Sequence, residues 1–127
     1  MQKKMGYILI AIALLHQVVG LIFYSSALHD ILQAGILNAV VPPFWERDAA
    51  FWFLMFGGLL LLIGWVVQWL MDSVGTIPAF LGWGLLIVCV LGVILMPLSG
   101  FWLVIPLAIM MIRQADSVDK QLALTSP

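Results

Sequence analysis

Charged side chains are scarce in this sequence: only 9% of its 127 residues are Asp, Glu, Lys or Arg. Soluble domains carry about 25% charged residues, because their surfaces face water. Here 65% of the residues are hydrophobic, which leaves too little polar surface to cover a water-soluble fold. The composition therefore excludes a soluble globular domain and predicts a protein whose solvent is the lipid bilayer.

Basic residues and cysteine are also rare. The chain has five Lys and Arg residues and a formal net charge of -1, whereas nucleic-acid binding needs a basic stripe or patch. A nucleic-acid partner is therefore not expected. The single cysteine, Cys89, cannot form a disulfide within the chain. Because Gly-rich phosphate loops, cysteine pairs and zinc motifs are missing as well, we expect neither a metal nor a cofactor.

What the sequence does contain is a series of long apolar runs. A membrane-crossing helix needs about 20 apolar residues, and the runs number four. They predict spans at about residues 5–26, 48–71, 78–96 and 99–113. We expect an all-α fold, a polytopic transmembrane four-helix bundle that forms one domain over residues 1–113. Residues 114–127 are polar and predict a flexible tail.

The basic residues predict the orientation of the bundle. Lys3 and Lys4 precede the first run, and Arg113 and Lys120 lie near the last one. Because Lys and Arg are enriched in cytoplasmic loops, this distribution predicts that both termini are cytoplasmic. The first run is longer than the roughly 7–15 apolar residues of a signal peptide. We therefore expect a retained span rather than a cleaved leader.

The longest connection, residues 27–48, lies between the first two predicted spans. Its apolar residues recur at helical spacing from Leu28 to Val40, which favours a short amphipathic helix in the membrane interface. Pro42 and Pro43 are expected to end this helix.

Small and polar residues mark the helix faces that pack inside a membrane bundle, because lipid tails are as apolar as leucine. The stripe of the second span predicted to be buried is Arg47, Ala50, Leu54, Gly57, Leu61, Gly64 and Gln68. The bulky residues predicted to face lipid or another subunit are Trp52, Phe56, Leu59, Ile63 and Val67.

His16 and one charged cluster are the candidates for chemistry. His16 lies near the middle of its span, where a polar group normally faces protein; it is either hydrogen-bonded within the bundle or acts as a proton acceptor or ligand contact. Residues 46–48 form the charged cluster. Either its acids cap the second helix and neutralise Arg47, or Arg47 holds an anionic group beside an acid or base. The candidate ligand-binding residues are His16, Gln17, Tyr24, His29, Glu46, Arg47, Asp48, Trp65 and Trp83.

Two parts of the sequence resemble a family of small bacterial four-span membrane proteins of unknown function. The first is the segment Arg-Asp-Ala-Ala-Phe-Trp-Phe-Leu at residues 47–54, followed by Gly57, and the second is His16 with Gly20 in the first span. The resemblance covers almost the whole chain, implies the bacterial inner membrane and brings no known activity. In size the chain is also similar to the emopamil-binding and microsomal glutathione-transferase types. This sequence lacks the intramembrane acids expected of the first type and the several arginines expected of the second.

Three kinds of function remain open from the sequence. The favoured one is binding of a lipophilic small molecule or a membrane-protein partner, within or beside the bundle. The alternative is a small membrane enzyme that acts on a lipid-like substrate at the outer-leaflet mouth of the bundle. Transport is least favoured, because four spans need a homo-oligomer to enclose a pathway. The expected partners are the bilayer, a lipophilic ligand or membrane protein, and further copies of the chain.

Overall fold

A computed structural model describes residues 4–125 and shows an all-α protein. Within those residues there is no strand. The described part of the chain forms five helices, which are α1 (Met5–Phe23), α2 (Ser25–Gln33), α3 (Trp45–Ser73), α4 (Ala79–Leu95) and α5 (Phe101–Thr125). Lys3 and the last two residues of the predicted tail, 126–127, lie outside the described residues.

Within residues 4–125, three helical segments are long and apolar enough to cross a membrane. They are Met5–Phe23, Trp45–Ser73 and Phe101–Val118. The fourth apolar helix, α4, has 17 residues, and at about 1.5 Å per residue it is about 26 Å long. The lengths and composition of these helices indicate a membrane protein, as the low charge content predicts.

The long helices pack as two antiparallel pairs, α1 with α3 and α4 with α5, and α1 also contacts α5. Glycine allows the close approach inside each pair. A Cβ added at Gly64 of α3 would lie 3.0 Å from the backbone nitrogen of Ile10 in α1. One added at Gly82 of α4 would lie 3.0 Å from the backbone nitrogen of Ile112 in α5. Such contacts replace the hydrophobic driving force that is missing between helices in lipid.

The tightest core lies at the end of the molecule where α1 begins and α3 ends, which we call the Met5 end. Its largest fully buried side chains are Met5, Leu9, Val67, Ile77 and Met111. Farther from the Met5 end, the α1–α3 pair contacts the α4–α5 pair through Phe56 and Phe101, whose rings pack edge to face with centroids 6.1 Å apart. The opposite end, which holds α2 and the connection to α3, is called the α2 end.

The predicted buried stripe of α3 is confirmed at Ala50, Gly57, Gly64 and Gln68, all of which are buried. The prediction for Val67 is wrong, because this side chain has no exposed surface. Near the Met5 end α3 contributes to a core shared with α5, so it buries a wider face than the glycine stripe alone.

A short helix does lie within the connection between the first two predicted spans, but α2 ends at Gln33 rather than at the prolines. Gly35 follows with a φ of 89°, a conformation that favours glycine. The amide of Ile36 then donates to the carbonyl of Ile31 at 3.1 Å. This 6→1 bond is the Schellman motif that commonly ends helices.

The segment predicted as a polar tail is helical as far as Thr125, because α5 continues past Arg113. Gln114 and Ala115 are buried in this continuation. The side-chain amide of Gln114 donates to the carbonyl of Gly75 at 3.2 Å, which ties α5 to the turn between α3 and α4.

Candidate functional site

An apolar groove of about 570 Å³ lies at the α2 end, between α2, the connection that follows it and α3. We call it the α2–α3 groove. Its lining residues are Gln17, Leu28, Ile31, Ile36, Val40, Phe51, Leu54, Met55, Gly58 and Leu59. Gln17 is the one polar side chain among them.

Two helices form the long walls of the groove. On α2, Leu28 and Ile31 are three residues apart and therefore share a face, and the neighbouring Ala27 is buried. On α3, Phe51 and Met55 are one turn apart and line the opposite wall. Gly58 follows on the same face and leaves room, because a Cβ added there meets no atom within 4 Å.

Arg47 holds the third wall, which is the connection between α2 and α3. Its guanidinium Nη1 donates to the carbonyl of Ala39 at 3.2 Å, and its guanidinium carbon lies 4.2 Å from the centre of the Phe44 ring. Val40, next to Ala39, lines the groove. Arg47 thus braces the wall, and among the described residues it forms no ion pair with Glu46 or Asp48.

Gln17 joins the floor of the groove to α3. Its side-chain nitrogen donates to the carbonyl of Leu54 at 3.2 Å. Its Oε1 atom is buried and has no hydrogen-bond partner among the described residues. A Cβ added at Gly57 would lie 2.8 Å from this oxygen, so the side chain of Gln17 fits here because residue 57 is glycine.

His16 binds the adjacent carbonyl of α3. Its Nε2 lies 3.0 Å from the carbonyl oxygen of Phe53, and because a carbonyl oxygen only accepts, this nitrogen carries the hydrogen. The imidazole stacks on the Phe53 ring with centroids 4.0 Å apart and an angle of 8°. His16 therefore has the partners of a hydrogen-bonded histidine inside the bundle, and it does not line the groove.

Tyr24 and His29 flank the groove without lining it. The half-buried ring of Tyr24 is tilted against Phe53, with centroids 5.4 Å apart. His29 is exposed, and its Nε2 accepts from the side-chain nitrogen of Gln33 at 2.9 Å. This bond links two successive turns of α2.

Both acids of the charged cluster lie in the first turn of α3, as predicted, but the N-terminus of the helix has no side-chain cap hydrogen bond. Glu46 is exposed and Asp48 is half-buried. Asp48 lies three residues before Phe51, on the face of α3 that carries the groove wall. The cluster and His16 therefore do not converge on the groove, although Asp48 stands at its end.

The tryptophans expected to line a pocket lie on the outside of the molecule. Trp65 is 60% exposed and Trp83 is 53% exposed, and neither lines the groove. Within the described part of the chain, no three His, Cys, Asp or Glu residues are grouped to hold a metal ion.

Among the residues that line the groove, Gln17 is the one candidate that the sequence predicts, and the apolar residues around it are not among the candidates. Leu28, Ile31 and Phe51 are residue types that also face lipid, so composition gives no sign that they border a cavity. The pair Gly57 and Gly58 was the available signal. Packing against α1 explains the first glycine, whereas the second has no close neighbour and enlarges the groove.

The fold defines an all-α protein with helices suited to a membrane and an apolar groove beside one helix pair. Residues 1–117 match the model of DUF6463, a family of unknown function, and the chain belongs to this family. This agrees with the resemblance drawn from the sequence to an uncharacterised membrane-protein family. No curated protein and no solved structure matches the chain.

Proposed function

We propose that this protein crosses the bacterial inner membrane four times and binds a lipophilic small molecule in the α2–α3 groove. In this arrangement α4 is the fourth span, since its length of about 26 Å is close to the roughly 30 Å of hydrocarbon. Both termini lie in the cytoplasm, which the basic residues Lys4, Arg113 and Lys120 support. The resemblance to bacterial four-span proteins supports the inner membrane as the location.

The groove is the observation that carries the binding proposal. Its volume of about 570 Å³ lies within the roughly 300–1,000 Å³ of small-molecule sites, which are mostly apolar with few polar groups. Lipid tails compete for any apolar surface in a bilayer, so a specific ligand must fit the shape of the groove better than lipid does. The walls keep a defined shape because Arg47 fixes the connection and the buried Ala27 packs α2 in place beside α3.

Binding is favoured over catalysis because the groups that could react do not meet in the groove. His16 is hydrogen-bonded to Phe53 and Arg47 to Ala39. An enzyme would need both residues to contact one substrate, but neither of them lines the groove.

Gly58 offers a direct test. The variant Gly58→Leu fills the groove without a clash in the fold, because the position faces open space. Gly84→Leu on α4 is the matched control: it has the same change in helix propensity and also faces open space, but it is outside the groove. The full chain is purified under native conditions and its bound lipophilic molecules are identified by mass spectrometry.

We expect the wild type and Gly84→Leu to retain the same molecule and Gly58→Leu to lose it. If all three proteins carry the same molecules in the same amounts, the groove is not the binding site and the proposal fails.

A further inference from the structure

We propose that the occupant of the α2–α3 groove is a single-chain amphiphile with a positively charged ammonium head, and that the carboxylate of Asp48 binds this head. The inference rests on the proposed function and names the chemical class of its ligand.

Asp48 is placed to meet the head of a molecule whose tail lies in the groove. It precedes the groove residues Phe51 and Met55 by three and seven positions, which puts all three on one face of α3. Its side chain is half-buried. Among residues 4–125 its carboxylate has neither a hydrogen bond nor an ion pair, because the neighbouring Arg47 is directed to Ala39 and Phe44.

The charges around the groove favour a cation. The α2 end carries three carboxylates, Asp30, Glu46 and Asp48, against the single guanidinium of Arg47. This surplus of negative charge attracts an ammonium head and repels a sulfate or a phosphate. The attraction is stronger at the edge of a bilayer than in water, because the effective dielectric constant is lower there.

The dimensions of the groove suit one alkyl chain. Along α3 it extends from Phe51 to Leu59, which is about 12 Å at a rise of 1.5 Å per residue. Half of the hydrocarbon core is about 15 Å thick. A single chain can therefore lie along α3 within one leaflet while its head stays beside Asp48.

The test compares three photoactivatable probes with the full-length protein in dodecyl maltoside micelles, whose head groups carry no charge. All carry the same dodecyl chain with a diazirine near its end, and their heads are trimethylammonium, hydroxyl or sulfate. Labelled peptides from the groove are quantified by mass spectrometry. We expect the trimethylammonium probe to label the groove about two- to fivefold more than the hydroxyl probe, as for a partly exposed ion pair. The sulfate probe should label it least.

Variants assign the preference to one carboxylate. Asp48→Asn should abolish the preference for the trimethylammonium head, and Asp48→Glu should retain it. Glu46→Gln removes the same charge from an exposed position and should leave the preference in place. If Glu46→Gln abolishes it as fully as Asp48→Asn, the assignment to Asp48 is overturned.

The outcomes separate this inference from the function on which it rests. Equal labelling by all three heads in the wild type, with loss of labelling in Gly58→Leu, overturns the cationic ligand and leaves the lipophilic site intact. Labelling that Gly58→Leu does not reduce overturns both. The comparison of heads in the wild type decides whether the ligand is cationic even if Asp48→Asn does not fold, and Asp48→Glu and Glu46→Gln then test which carboxylate binds the head.

Discussion

His16 on α1 and Phe53 on α3 are joined twice, by a hydrogen bond of 3.0 Å to the backbone carbonyl and by ring stacking at 4.0 Å. The next residue, Gln17, binds the next carbonyl, that of Leu54, at 3.2 Å. Two successive polar side chains of α1 thus bind two successive carbonyls of α3. This double link fixes α1 against the helix that carries one wall of the groove.

The link from His16 to Phe53 should stabilise the pair of helices α1 and α3. His16→Ala removes a hydrogen bond between helices, worth about 0.6–2 kcal/mol in membrane proteins, together with the ring contact. We expect a loss of about 1–3 kcal/mol in the free energy of unfolding, measured by SDS titration in mixed micelles. Val18→Ala, at a position that is 52% exposed, is the control. A smaller loss for His16→Ala than for Val18→Ala would show that the link does not stabilise the pair.

Substitution by alanine should lower the stability of the protein at Gly57 and raise it at the adjacent Gly58. In Gly57→Ala the new Cβ would lie 2.7 Å from Cδ2 of His16 and 2.8 Å from Oε1 of Gln17, and such overpacking costs about 1–3 kcal/mol. Gly58→Ala meets no atom within 4 Å and gains up to about 1 kcal/mol in helix propensity. Thermal unfolding in one detergent compares the two. Equal melting temperatures would refute the assignment of Gly57 to the helix interface.

The positions of the helices and much of the buried face of α3 could be predicted from the sequence. Apolar runs follow from the thickness of the bilayer, and small residues such as Gly57 and Gly64 mark close helix contacts. Val67 could not be predicted, because its burial depends on a core that side chains of several helices form together at the Met5 end. The pattern along one helix does not carry that information.

The candidate site was less predictable than the fold. Its third wall depends on a hydrogen bond between Arg47 and the backbone of Ala39, eight residues apart, and backbone carbonyls leave no trace in a sequence pattern. The charges at residues 46–48 predicted helix capping, yet the guanidinium binds the preceding connection instead. The connection, α2 and α3 surround the groove only after the chain has folded.

Arg47 should therefore control the mobility of the connection between α2 and α3. Arg47→Ala removes a charge-assisted hydrogen bond, worth about 1.5–3 kcal/mol, and the contact with Phe44. Hydrogen–deuterium exchange of residues 36–44 should become about tenfold faster, since about 1.4 kcal/mol corresponds to a factor of ten. Arg113→Ala, which removes an exposed arginine from α5, should leave this exchange unchanged. Unchanged exchange in Arg47→Ala would show that the wall holds without the guanidinium.

Gln114 provides a test at the Met5 end of the molecule. It is 4% exposed, and its Oε1 has no hydrogen-bond partner among the described residues. Gln114→Leu loses the bond to Gly75 but also removes this unsatisfied oxygen, so we expect a change within about 1 kcal/mol. Gln114→Ala leaves a cavity and should cost about 2 kcal/mol or more. Equal stability of the two variants, by SDS titration, would contradict the packing of α5 beyond Arg113.

Contacts between the groove and its bound ligand can be observed by NMR. The native protein, with the lipophilic molecule it retains, is placed in nanodiscs of fully deuterated lipid, and nuclear Overhauser effects from the molecule's aliphatic protons are recorded. We expect cross-peaks to the Hα protons of Gly58 and none to those of Gly84, which would face deuterated lipid. Cross-peaks that are absent at Gly58, or equally strong at Gly84, would contradict a specific lipophilic site between α2 and α3.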